Sequence, residues 1–296
     1  MTDGEGNLGV RPLIVGAGGL VGRVLTDLCE ERYPHTVSAT KAELDVADRW
    51  RLEAEFERLA PTVVVNCAAV SDVDLCEADP DLARRVNAEG PANLAAACRA
   101  VGARFVHLST DYVFDGAKGA EYVEDDLPAP LNEYGRSKLE GELAALGTLE
   151  DCAVLRLSFI VGAGRETLLS RLLDRARSGP GTIPVVDGWI KKPTYVGEAA
   201  AAAAALMASA ETGIWHFADG PALSRFGFAR RAFELCGEDP RRLAPLDPAE
   251  AGLDAARPAA TPLATGRFAA RFFAPRPWDE AAAEYLAALR RRGTAR

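Results

Sequence analysis

Apolar positions change their period several times along the chain. Leu13-Ile14-Val15 is a short unbroken apolar run that meets the glycine cluster Gly16 to Gly22, and a helical pattern follows through Glu31. Thr36 to Ala39 predicts a second short strand. Asp48 reads as an N-cap for a helix over Trp50 to Leu59. Thr62-Val63-Val64-Val65, bounded by Pro61 and Asn66, reads as a buried strand. Pro80 to Ala100 predicts a long helix interrupted near Gly90-Pro91. Arg104 to Ser109 and Ala153 to Leu157 predict two further strands, with a helix from Tyr134 to about Leu146 between them.

Strands alternating with helices predict an α/β fold, a Rossmann-type doubly wound parallel sheet with helices on both faces. Beyond about residue 160 the pattern loosens, and Pro and Gly rise in 179–194 and 237–277. The expected organisation is a dinucleotide-binding Rossmann domain over 11–160 and a smaller C-terminal substrate-binding lobe from 161–194 and 219–292. Residues 195–218 return to the first domain through a helix at Gly197 to Ser209 and a strand at Gly213 to Phe217. Residues 1–10 read as a flexible tail.

Composition narrows the function classes. The 296 residues are 48% hydrophobic and 26% charged, ordinary for a globular protein. A net charge of −9 argues against nucleic acid as partner, because phosphate backbones need a basic surface. Six cysteines form no Cys-x-x-Cys pair and the three histidines are scattered, so no metal site is expected. Met1 to Gly9 is polar and Gly-rich, unlike a secretory leader, and the apolar stretch Ala199 to Ala208 is too short to span a bilayer. The expected compartment is the reducing cytoplasm, with no membrane partner.

Chemistry enters with the glycines. Gly16, Gly19 and Gly22 are three residues apart between a strand and a helix. Such glycines let the backbone turn tightly and let pyrophosphate reach the helix N-terminus, where free N–H groups favour negative charge. Gly16, Gly18, Gly19, Leu20 and Val21 are therefore candidate cofactor contacts. The second strand ends at Ala39-Thr40-Lys41 with no acid at that point, so Lys41 is placed to pair with a 2′-phosphate and NADP(H) is favoured over NAD(H). Asp45 and Val46 are candidates for the adenine edge. Cys67, Ala68 and Ala69 close the third strand with small residues, as a cofactor crossing the strand ends requires.

Tyr134 and Lys138 are spaced by four, which puts them on one helix face. An ammonium beside a phenol lowers its pKa, and the phenol can then protonate a ketone oxygen. Thr110, at the carboxyl end of the preceding strand, can hydrogen-bond the same oxygen.

Gly16 to Gly22, Val64 to Ala69, Val86-Asn87, the run Leu108-Ser109-Thr110-Asp111-Tyr112-Val113-Phe114-Asp115-Gly116 and the run Pro130 to Glu142 resemble the dTDP-4-dehydrorhamnose reductases, extended short-chain dehydrogenase/reductases. The resemblance covers nearly the whole chain. It implies reduction of the 4-keto group of a dTDP-4-keto-6-deoxyhexose, with Thr110, Tyr134 and Lys138 as catalytic triad. It also brings Asn87 and Ser109, with Tyr134 and Lys138, to the cofactor, and Asp111, Val113, Phe114 and Phe159 to the substrate. A homodimer fits the same picture.

The substrate half departs from the family pattern. Where Asp-Gln-x-Gly-x-Pro-Thr is usual, this chain has Asp187-Gly188-Trp189-Ile190-Lys191-Lys192-Pro193-Thr194. Where Arg-Pro-x-Asn-Ser-Arg-Leu is usual, it has Arg257-Pro258-Ala259-Ala260-Thr261-Pro262-Leu263, and Phe159 stands where a Trp is frequent. Trp189, Lys191, Lys192 and Arg257 are therefore candidate substrate contacts, the cations meeting a diphosphate. Alternatives remain: a same-fold reductase or epimerase with another substrate, or a non-catalytic nucleotide-binding regulatory subunit. Tyr112 at the position where dehydratases of this type carry glutamate disfavours elimination.

Overall fold

The computed structural model describes residues 9–163 and 167–294; the expected tail at 1–10 falls outside these except for its last two residues. Five strands of the central sheet are β1 (Pro12–Val15), β2 (Val37–Ala39), β3 (Val63–Asn66), β4 (Arg104–Thr110) and β5 (Cys152–Leu157). Short strands β6 (Ile160–Val161), β7 (Ile183–Val186) and β8 (Thr194–Tyr195) follow, then β9 (Gly213–Phe217) and β10 (Leu243–Leu246). The central sheet has six parallel strands in the order β2-β1-β3-β4-β5-β9. The order reverses between β1 and β3, which opens a crevice at their carboxyl ends.

Helices cover both faces: α1 (Leu20–Arg32), α2 (Arg49–Leu59), α3 (Val73–Ala78), α4 (Pro80–Arg84), α5 (Gly90–Val101), α6 (Glu133–Thr148), α7 (Leu168–Ser178), α8 (Val196–Met207), α9 (Arg225–Cys236), α10 (Gly266–Arg271), α11 (Trp278–Ala281) and α12 (Ala283–Thr294). Alternation along the strands sorts the core into two layers. Leu13, Val15, Val64 and Phe105 pack with Leu52, Phe56 and Leu94 of α2 and α5. Ile14, Val63, Val65 and Val106 pack with Leu25 of α1 and with Ala199, Ala200, Ala202 and Ala203 of α8. The alanines carry no side-chain bulk, so α8 lies close against α1 and the sheet.

Asp48 caps α2 by accepting from the Arg51 N–H at 3.1 Å. The break expected near Gly90-Pro91 takes the form of a π turn over Arg85–Glu89 between α4 and α5. Pro91 has no N–H to continue the α-helical ladder, and the Gly90 N–H reaches back to the Arg85 carbonyl instead.

In the second lobe β7 pairs with β10, and β6 pairs with β8. Leu169, Leu172, Phe228, Phe233, Trp278 and Leu286 from α7, α9, α11 and α12 form its core. The assignment of all of 219–292 to this lobe is corrected at 263–273. Leu263 packs with Phe114 and Tyr122, and Phe268, Phe272 and Phe273 join the sheet core beside Phe217. This aromatic-rich stretch buries its rings against the first lobe.

Candidate active site

The turn after β1 sits at the sheet's switch point. Gly16 has φ +80°, and a Cβ there would lie 2.5 Å from the Ala68 nitrogen, so a side chain has no room where β1 and β3 end. Helix α1 starts behind Gly19 with no side-chain cap and no acid in its first turn. Its first N–H groups are therefore available to an anion. Beside them lies a cavity of about 270 Å³. Gly16, Gly18, Gly19, Lys41, Asp45 and Val46 line one wall, and Cys67, Ala68 and Ala69 the other. Leu44, Val70 and Val86 complete the lining and were not foreseen. Leu20 and Val21 open α1 at its edge.

An acid does stand near the end of β2, but it is occupied. Glu43 Oε2 accepts from the Thr40 N–H and hydroxyl, both at 2.8 Å, and these bonds hold its carboxyl below the usual range. Lys41 remains exposed at the cavity rim. The uncapped helix, the small-residue walls and the buried Ser109 hydroxyl, which has no hydrogen-bond partner among the described residues, fit a dinucleotide. Asn87 is a correction. It is fully buried, and its amide accepts from the Val70 N–H and donates to the Val70 carbonyl and Ser137 Oγ, so it pins α6 to the loop after β3 rather than facing the cleft.

Helix α6 brings the tyrosine–lysine pair under the end of β4. Asn132 Oδ1 caps it through the Gly135 N–H at 2.8 Å. A Cβ at Gly135 would fall 2.2 Å from the Tyr112 carbonyl oxygen, so glycine there permits the helix to approach the β4 turn. The Tyr134 ring consequently meets the Tyr112 ring edge-on, with centroids 5.5 Å apart. Thr110 Oγ1 accepts from the Tyr112 N–H at 3.2 Å, donates to Asp111 Oδ1 at 3.4 Å and lies close enough to the Tyr134 phenol to act on its pKa.

Burial raises the Tyr134 pKa above its ordinary value; the Thr110 hydroxyl opposes this, and the Asp111 charge adds to it. The expectation that Lys138 draws the phenol toward neutrality is thereby corrected. The Lys138 ammonium is buried and directed elsewhere, donating to the Leu108 carbonyl at 2.7 Å and lying 3.2 Å from His107 Nε2. Burial brings the Lys138 pKa down to about 8. His107, which sequence reasoning passed over, is held neutral by burial and by Lys138; its Nδ1 lies 3.1 Å from Asn66 Nδ2.

A second cavity, of about 80 Å³, lies on the other side of Tyr112, between the lobes. Tyr112, Phe159, Trp189, Lys191, Leu223 and Arg225 line it.

A family model described as "RmlD substrate binding domain" matches residues 10–291. The chain belongs to this family. It is 38% identical to a dTDP-4-dehydrorhamnose reductase of Mycolicibacterium smegmatis over 284 residues, 94% of this chain and 86% of that protein. It is 36% identical to a dTDP-4-keto-6-deoxy-D-glucose reductase of Streptomyces niveus over 239 residues, 80% of this chain and 82% of that one. A dTDP-4-dehydrorhamnose reductase from Bacillus anthracis, solved in complex with NADP, superposes with TM-score 0.88 at 29% identity, covering 94% and 99% of the two chains.

In this RmlD-family chain the two divergent stretches lie against each other. The Ile190 N–H donates to the Ala259 carbonyl at 2.8 Å, and the Thr261 N–H to the Ile190 carbonyl at 2.9 Å. Asp111 is buried between them, its Oδ2 accepting from Lys191 Nζ and Thr261 Oγ1. Lys191 Nζ also sits 3.7 Å from the centroid of the Tyr112 ring. Asp111 therefore ties the β4 turn to the second lobe and spends its carboxylate in doing so.

The other expected substrate contacts divide. Phe159 and Trp189 line the inter-lobe cavity. Lys192 is turned to Glu121 at 2.6 Å, and Arg257 to both carboxylate oxygens of Asp74. Val113 and Phe114 are corrections: both are fully buried, packed with Tyr122 and Leu263, because the 3₁₀ turn Asp111–Val113 points them inward. Tyr112, Leu223 and Arg225 were missed. Tyr112 carried a signal in its motif, next to Thr110; Arg225, at the start of an ordinary amphipathic helix, carried none.

Proposed function

We propose that this chain is a reductase that uses NADP(H), with NAD(H) as the alternative, to reduce the 4-keto group of a dTDP-linked 4-keto-6-deoxyhexose in deoxysugar biosynthesis. One observation carries the reading: Thr110 and Tyr134 stand together at the end of β4, in a sheet whose switch-point cleft is walled by the Gly16 turn, and Tyr134 touches Tyr112, which lines the inter-lobe cavity. The activities named for the M. smegmatis and S. niveus relatives and the NADP in the B. anthracis structure point the same way.

In this reading the backbone of Gly16 to Val21 and the small residues Ala68 and Ala69 receive the pyrophosphate, and Lys41 receives the 2′-phosphate. The cofactor, when bound, supplies the hydride. Tyr134 supplies the proton to the carbonyl oxygen. Burial keeps its phenol protonated at neutral pH, the form a general acid needs. Thr110 orients the phenol, and Lys138, one helical turn on, holds an ammonium at neutral pH against the Leu108 carbonyl. The same reading includes a cytoplasmic location and a homodimer. No helix among the described residues is long and apolar enough to cross a membrane.

Tyr134→Phe tests the assignment, because it removes one hydroxyl and little packing. Turnover of a dTDP-4-keto-6-deoxyhexose with NADPH should fall about a hundred- to ten-thousandfold while NADPH binding stays nearly intact. Near wild-type turnover in that variant would refute the role of Tyr134.

A further inference from the structure

Lys191 and Arg225 line the inter-lobe cavity, and Lys192 and Arg257 stand in the adjoining loops; three of these four already have carboxylates. Lys191 pairs with Asp111, Lys192 with Glu121, and Arg257 with Asp74. Among the described residues Arg225 has no carboxylate partner; its guanidinium lies 4.9 Å from the centroid of the Trp189 ring. We propose that Arg225, backed by Trp189, is the residue that takes a phosphate of a nucleoside diphosphate-linked substrate. The proposal rests on the reading of the substrate as a nucleotide sugar and names the group that recognises its anion.

The position of Arg225 is built rather than incidental. The Arg225 N–H donates to the Gly188 carbonyl at 3.0 Å, directly before Trp189. Leu223 and Lys191 exchange both backbone hydrogen bonds, at 2.8 and 3.0 Å, so the segment carrying Arg225 is zipped to the loop carrying Trp189. That loop is pinned on its other side by Ala259 and Thr261. Ser224 accepts from the Gly227 N–H and donates to Asp187, which fixes the start of α9. Arg225 thus sits in the first turn of a helix, where the dipole also favours an anion.

Backbone strain marks the same place. Three non-glycine residues among the described ones have left-handed φ: Ala60, which ends helix α2, Phe159 at +37° and Trp189 at +52°. The last two both line this cavity. Bulky residues hold such conformations only where the surroundings impose them, and such outliers gather at ligand clamps. Burial costs the Arg225 guanidinium solvation and lowers its pKa, a cost that an anionic partner offsets. The chain carries a net charge of −9, so a phosphate must be met by a local cation. Tyr112 lines the cavity and touches Tyr134, so a molecule held at Arg225 reaches toward the reacting phenol.

The test is calorimetric binding of dTDP, thymidine, inorganic pyrophosphate and NADPH to wild-type protein, Arg225→Met and Arg225→Lys. Arg225→Met should weaken dTDP and pyrophosphate about ten- to a hundredfold, as expected for loss of a charge-assisted, bidentate contact. Thymidine and NADPH affinities should not change, and NADPH binding verifies that the variant is folded. Arg225→Lys keeps the charge without the planar fork and should fall between the two. If Arg225→Met does not fold, a lysine variant that binds dTDP as tightly as wild type overturns the proposal. Unchanged dTDP affinity in the methionine variant, equal losses for dTDP and thymidine, or wild-type protein that takes no dTDP also overturn it. Wild-type protein that binds dTDP through Arg225 yet reduces no 4-keto sugar would leave the anion site standing and refute the proposed reaction instead.

Discussion

Replacing Asp111 by Asn should unlock the second lobe from the end of β4. Asp111 is 1% exposed, and its Oδ2 receives both Lys191 Nζ and Thr261 Oγ1. Lys191 is itself buried, with the Tyr112 ring as its other neighbour. An asparagine keeps the size and an acceptor for Thr261 but removes the counter-charge of a buried ammonium. Breaking one side of such a pair costs about 3–5 kcal/mol, because the remaining charge is left uncompensated. Replacing both partners is far milder, so Asp111→Asn with Lys191→Met should recover roughly 2–4 kcal/mol of that loss. Urea unfolding of wild type, Asp111→Asn, Lys191→Met and the double variant, followed by fluorescence and circular dichroism, measures the coupling. A single Asp111→Asn variant within about 1 kcal/mol of wild type, or a double variant no better than the single, would refute the idea that this pair joins the lobes.

Two other predictions follow from the geometry. Lys41→Ala should raise the Michaelis constant for NADPH and leave that for NADH little changed, because Lys41 is the cation at the cavity rim and Glu43 is engaged by Thr40; equal effects on both cofactors in steady-state kinetics would contradict this. Asp219 is fully buried, one oxygen accepting from the Tyr195 N–H and the other without a partner among the described residues, and burial raises its pKa to about 7. It binds its proton more tightly folded than unfolded. Its contribution is therefore complete below about pH 4 and is lost as pH rises through 7, a change on the order of 4 kcal/mol. Asp219→Asn should flatten that dependence and be the more stable protein at pH 8, which denaturation midpoints measured from pH 5 to 8 will show.

The sequence made the sheet legible because a parallel sheet is buried on both faces and its strands become short unbroken apolar runs, as at Leu13 to Val15 and Val63 to Val65. The turn from Gly16 to Gly22 and the Tyr134–Lys138 spacing were legible because each lies within one turn or one helix. What the sequence hid depends on side-chain direction and on contacts between distant segments. Val113 and Phe114 follow Thr110 and Asp111 closely, yet a 3₁₀ turn buries them. Lys192 and Arg257 are cations at family motif positions, but Glu121 and Asp74 neutralise them from far away in sequence. Arg225 becomes visible only when the loop at 187–191 and the start of α9 are seen hydrogen-bonded together.

The central claim is that hydride reaches carbon 4 of a sugar nucleotide in the space between the Gly16 cleft and the Tyr112–Arg225 cavity. Incubating the protein with a dTDP-4-keto-6-deoxyhexose and NADPH deuterated at the transferring position, and reading the product by NMR, tests it most directly. The account predicts one deuterium bonded to carbon 4 of the 6-deoxyhexose, with equivalent oxidation of the cofactor. A product without deuterium, deuterium on another carbon, or no oxidation of NADPH would contradict it.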